Sequence, residues 1–135
     1  MTMNPITVNW VNESATPLKF VGNPTPQHGT PPSASPTELA ASGGQASVVA
    51  YQNNGLSPGA EGTYNWQISS QEGSFNVSYN HPNGSGTTYV QVVCPAGYVV
   101  SSPSQGPGTN VTFTDGLQQH GPVSSQLTIA KLPGN

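Results

Sequence analysis

Residues 6 to 11, Ile-Thr-Val-Asn-Trp-Val, alternate apolar and polar side chains, and in an extended chain that alternation puts Ile6, Val8 and Trp10 on one face. The same period of two recurs at Phe75, Val77 and Tyr79, at Val111 and Phe113, and at Leu127 and Ile129, with Gly, Pro, Asn or Ser bounding each run. Half-buried antiparallel strands carry this pattern, with those residues inward. Less regular apolar runs at residues 17 to 21, 46 to 51, 64 to 68, 87 to 93 and 97 to 101 bring the expected number of strands to about nine. No stretch has helical periodicity over a useful length.

The breaks between runs fix the architecture. Asn83-Gly84 tolerates the positive φ of a type I′ turn, so the strand from Phe75 to Tyr79 is expected to turn back there as a hairpin. Residues 22 to 45 read as one long loop, because five prolines between Pro24 and Pro36 preclude a central strand and favour solvated, extended backbone. Residues 101 to 108 form a second loop of that kind. Many short strands with frequent turns indicate an all-β fold, a sandwich of two sheets ahead of a barrel. A chain of 135 residues has the usual size of one domain, here spanning residues 1 to 135.

Composition narrows the possible partners. Charged residues make up 5% of the chain, against roughly a quarter in an ordinary soluble domain. Low charge with 14 prolines and 16 glycines also describes disordered segments, but those lack regularly spaced aromatic and β-branched runs. The surface must therefore be polar and almost uncharged. Nucleic acid is an unsuitable partner, since the cations are Lys19 and Lys131 and there is no arginine. Electrostatic docking on anionic lipid fails for the same reason. A sugar, a zwitterionic lipid headgroup or another copy of the chain remains, and a net charge of -3 gives little self-repulsion.

The start, Met1-Thr2-Met3-Asn4-Pro5, lacks the basic and apolar regions of a secretory signal, and no run approaches membrane-spanning length. The expectation is a cytoplasmic protein, or one released by a non-classical route. The single Cys94 can form no internal disulfide. N-x-S/T triplets at Asn12, Asn76, Asn83 and Asn110 are no more than so Asn-, Ser- and Thr-rich a chain produces by chance.

Catalytic constellations are hard to assemble from this inventory. His28 lies in the Pro-rich loop, His81 beside the hairpin turn and His120 in the loop before the last strand, and none has the spacing of a metal-ligand pair. Cys94 closes an apolar run, which suits an inert, partly buried thiol better than a nucleophile. Asp115-Gly116 and Glu72-Gly73 read as turns. The expectation is a non-enzymatic protein without metal or cofactor.

Aromatic residues offer the better lead. Trp10 keeps phase with Ile6 and Val8 and belongs to the core, whereas Tyr64 and Trp66 share one strand face that serves a core or a binding site equally well. Just before them, Ser57-Pro58-Gly59-Ala60-Glu61-Gly62-Thr63 holds a rare carboxylate in what reads as a turn. Glu61 can pair with the cationic end of a zwitterionic headgroup or accept hydrogen bonds from sugar hydroxyls, with an aromatic covering the apolar part. The candidate ligand site is Glu61, Tyr64 and Trp66; a solvated loop acid is the alternative.

Ala60-Glu61-Gly62-Thr63, Cys94-Pro95-Ala96-Gly97 about thirty residues later, and the final run Gln126-Leu127-Thr128-Ile129-Ala130-Lys131-Leu132 before Gly134-Asn135 resemble the aegerolysin family in order and spacing. Ala96 stands where that family usually has tryptophan, and this chain has fewer charges and a Pro-rich insert. The resemblance implies a β-sandwich that recognises membrane lipids of the sphingolipid type, often together with a larger pore-forming partner, with Glu61 taking part in lipid recognition. Two other classes stay open on the residues alone: a lectin-like module binding neutral glycan, and a self-assembling structural protein.

Overall fold

The computed structural model describes residues 3–53, 58–83, 86–101, 110–113 and 121–133, with backbone alone at residues 3, 101, 110, 111 and 113. Eleven strands are found among them: β1 (Met3–Asn12), β2 (Leu18–Val21), β3 (Ser33–Ser35), β4 (Glu38–Leu39), β5 (Gly44–Gln52), β6 (Gly59–Ser69), β7 (Gly73–Pro82), β8 (Tyr89–Val93), β9 (Tyr98–Ser101), β10 (Asn110–Phe113) and β11 (Val123–Lys131). They form a five-stranded sheet in the order β3-β5-β1-β11-β9 and a six-stranded sheet in the order β10-β8-β7-β6-β2-β4. The protein is an all-β sandwich.

Period-two faces explain why the sheets close on each other. Ile6, Val8 and Trp10 from β1, Phe75, Val77 and Tyr79 from β7, and Leu127 and Ile129 from β11 are all buried, as expected. Ala46, Val48 and Ala50 of β5 and Val90 and Val92 of β8 continue the two inner faces. Trp10 stands between the sheets, edge-on to Tyr64 and Trp66 at centroid separations of 6.3 and 6.4 Å. The hairpin from β7 to β8 also forms, with Asn80 opposite Tyr89; Gly84, the second residue of the expected turn, lies outside the described residues.

Three expectations need correction. Residues 22 to 45 are not one loop: β3 and β4 lie within them and β5 begins at Gly44. Both extra strands sit at sheet edges, where neighbouring prolines cost no ladder bonds, and they raise the count above nine. Pairing is also not wholly antiparallel, since β1 and β11 run parallel, with Trp10 opposite Leu127. That puts both of these strands in the middle of the first sheet. Finally, Glu61 does not lie in a turn but within β6, opposite Asn80 of β7.

The inward positions expected at Val111 and Phe113 concern side chains outside the described residues, although β10 forms as read and pairs with β8. The loop at 101 to 108, His120 and Asp115-Gly116 likewise lie outside, apart from Ser101, which ends β9. No helix among the described residues is long and apolar enough to cross a membrane.

Candidate functional site

Even-numbered residues of β6 point inward and odd-numbered ones outward, so the three residues of the sequence-derived site separate. Tyr64 and Trp66 are 3% and 0% exposed and belong to the core. Tyr64 accepts a hydrogen bond from Trp10 Nε1 at 3.0 Å, and Phe20 covers both rings at centroid separations of 5.5 and 5.6 Å. Burial pushes the Tyr64 phenol far above its ordinary range, the bond from Trp10 opposing this and the nearby Tyr79 adding to it. Neither ring can stack on a ligand beside Glu61.

Glu61 lies on the outer face of the second sheet, and its backbone is held on both sides. One neighbour is Asn80 of β7; the other is His28, which exchanges two backbone bonds with it, His28 N to Glu61 O at 3.1 Å and Glu61 N to His28 O at 2.9 Å. Two residues further on, Thr30 N donates to Tyr51 O at 2.8 Å, and Thr30 Oγ1 accepts from Tyr51 N at 3.0 Å. The segment 28 to 30 therefore fastens β6 of one sheet to β5 of the other. Gly29 makes this possible: its φ is +86°, and a Cβ there would strike the Tyr51 carbonyl oxygen.

His28 Nε2 stands 3.7 Å from Glu61 Oε1, with both side chains partly exposed. That is too long for a hydrogen bond, so the carboxylate keeps its capacity to accept from a ligand. Across the sheet, Glu61 pairs in register with Asn80, and Asn80 with Tyr89 of β8. All three alternate out of phase with the buried residues, and Tyr89 is half-buried. At roughly 4.8 Å per strand, Tyr89 is about 10 Å from Glu61 along this row. Asn80 Nδ2 donates to Thr87 O at 3.0 Å, which holds the amide in place beneath the β7 to β8 connection.

The sequence puts His28 in the Pro-rich loop and offers Tyr89 only as one of seven amphipathic rings; it does not single out His28, Asn80 or Tyr89 as neighbours of Glu61. Counting by two from Glu61 would have excluded Tyr64 and Trp66. Finding Tyr89 requires the β7 to β8 register as well.

The other reactive groups lie elsewhere. His81 lies near the end of β7, beside the hairpin connection, and is fully buried. Its Nε2 donates to Gly121 O at 2.6 Å, and Nδ1 lies 3.0 Å from Thr88 Oγ1, within hydrogen-bond distance of that hydroxyl. Gly121 N in turn donates to Asn4 Oδ1 at 2.9 Å, and Asn4 Nδ2 to Gln52 Oε1 at 2.6 Å, a polar network closing one end of the sandwich. Cys94 is partly buried against the core, and burial pushes its thiol up to about 11, a backbone hydrogen bond from Val100 opposing the rise.

The short motifs also have structural reasons. Ala60 is a core residue, and Thr63 Oγ1 accepts from Asn23 Nδ2 at 3.1 Å. Cys94-Pro95-Ala96-Gly97 is the turn from β8 in one sheet to β9 in the other, closed by Tyr98 N to Pro95 O at 3.2 Å.

No protein-family model matches the chain, and no curated protein matches it in sequence. Among solved structures it is similar to the RahU protein, determined as a crystal structure in complex with a TRIS molecule. The TM-score is 0.61 at 16% identity, over 98% of this chain and 98% of RahU, a likeness of fold that runs through the whole sandwich.

Proposed function

We propose that the protein is a non-enzymatic lipid-binding protein that recognises a zwitterionic, sphingolipid-type headgroup through the outer-face row of Glu61, Asn80 and Tyr89. The observation that carries this is the position of Glu61. Glu61 is a carboxylate on the outer face of the second sheet, its backbone held by the pair of bonds with His28, in the same cross-strand row as the half-buried Tyr89. A carboxylate attracts the cationic end of a zwitterion, an amide hydrogen-bonds to the linking polar groups, and an aromatic ring lies at the interface.

The nearly uncharged surface suits a bilayer without net charge. Fold likeness to RahU, an aegerolysin-family protein, supports the same reading, as do the short motifs around Glu61 and Cys94. On this reading the chain supplies recognition, and any pore is formed by a larger partner protein.

Pelleting with phosphatidylcholine vesicles, with and without a sphingolipid, tests the proposal. Sphingolipid-dependent cosedimentation without vesicle leakage is the expected result. Failure to bind either vesicle would overturn it.

A further inference from the structure

The opposite side of the sandwich carries a feature that lipid recognition at Glu61 does not use. On the outer face of the first sheet, Asn9 pairs in register with Ser47 on one side and Gln126 on the other, and Ser47 pairs with Ser35. Gln126, Asn9, Ser47 and Ser35 thus form one straight row over four adjacent strands, β11, β1, β5 and β3, about 14 Å long at roughly 4.8 Å per strand. Gln45 and Val11 lie beside it. These six residues, with Trp10 and Ala46 at its floor, line a groove of about 240 Å³.

Its hydrogen-bonding capacity is largely unspent. Asn9 Oδ1 accepts from Ser47 Oγ at 2.6 Å, which fixes the amide and leaves its NH₂ group as a donor. Among the described residues, Gln45 and Gln126 have no side-chain partner, so each offers one acceptor and two donors. Among the described residues no charged side chain lines the groove. An anion would find no cation here and a cation no carboxylate, while an apolar ligand would cover amides without bonding them. Sugar hydroxyls, neutral and both donating and accepting, match this set, and Val11 supplies a small apolar contact for the face of a sugar ring.

We infer that the groove binds a neutral saccharide, one ring seated between Asn9, Gln45 and Gln126 and the chain continuing along the row toward Ser35. At about 240 Å³ the groove is smaller than the roughly 300–1,000 Å³ of drug-sized pockets, which suits a single sugar ring. This site lies on the other sheet from Glu61 and stands or falls independently of lipid recognition.

The test is a panel of neutral hexose and N-acetylhexosamine oligomers screened against the intact protein by NMR shift perturbation, with charged glycans as controls. At least one neutral oligomer should perturb Asn9, Gln45 and Gln126. Gln126→Glu, which preserves shape, and Asn9→Ala should each weaken that oligomer roughly tenfold or more, as expected for one lost hydrogen bond or an unpaired charge, with unchanged vesicle binding and, for Gln126→Glu, unchanged melting. Binding of no neutral oligomer at millimolar concentration, preference for charged glycans, or binding untouched by both substitutions would overturn the inference. Concentration-dependent dimerisation abolished by the same substitutions would assign the face to a second copy of the chain instead.

Discussion

Trp10 of β1 and Tyr64 of β6, 54 positions apart, join the two sheets through a single buried hydrogen bond, indole Nε1 to phenol oxygen at 3.0 Å. Tyr79, its ring centroid 6.1 Å from that of Tyr64, is also buried, yet its hydroxyl has no partner among the described residues. The two tyrosines should therefore respond oppositely to loss of the hydroxyl. Tyr64→Phe leaves the Trp10 N–H buried and unpaired and should cost about 1–3 kcal/mol, whereas Tyr79→Phe should cost nothing or stabilise by up to about 1 kcal/mol. Urea denaturation of both variants checks this, and equal losses would contradict it.

Gly62 explains how Tyr79 fits. A Cβ at Gly62 would lie 2.6 Å from the Tyr79 hydroxyl and 3.0 Å from Pro26 Cβ, so the phenol lies over the glycine where a side chain would otherwise be. Gly62→Ala should destabilise by about 1–3 kcal/mol through overpacking. Adding Tyr79→Phe removes the nearest atom and should recover part of that loss, a coupling that a double-mutant cycle measures.

The same residue shows where the sequence stops being legible. Inner faces built from large side chains were readable at Ile6, Val8 and Trp10 or at Phe75, Val77 and Tyr79, because alternation between large apolar and polar residues is unambiguous. At the start of β6 the inward positions are Ala60 and Gly62, the latter small because Tyr79 and Pro26 occupy the space, so the segment resembled a turn and Glu61 a loop acid. The strands β3 and β4, of three and two residues, are too short to show a period and lie among prolines. The parallel pairing of β1 with β11 and the meeting of His28 with Glu61 are long-range facts that no local pattern encodes.

Alkaline stability should follow from the buried phenols. Burial pushes Tyr79 up to about 12 and Tyr64 higher still, whereas in the unfolded chain both titrate near 10. Below pH 10 both states are protonated and stability is complete. Above it the unfolded chain releases protons that the folded protein retains, so stability falls as pH rises from 10 through 12. Melting temperatures across that window should drop steeply in the parent and less steeply in Tyr79→Phe.

Cys94 should be slow to alkylate. With its thiol pushed up to about 11, the folded protein holds roughly a hundredfold less thiolate at pH 8 than a free cysteine does. Iodoacetamide labelling in buffer and in urea compares the two, and equal rates would contradict the burial of this thiol.

The central claim is that Glu61 contacts a lipid headgroup on the outer face of the second sheet. The most direct measurement is the affinity of Glu61→Gln for sphingolipid-containing vesicles beside that of the parent. Losing one charge-assisted contact should weaken binding by about 1.5–3 kcal/mol, roughly ten- to a hundredfold, with the melt unchanged because the side chain is partly exposed and supports little of the core. Equal affinity of the two proteins for those vesicles would contradict the claim.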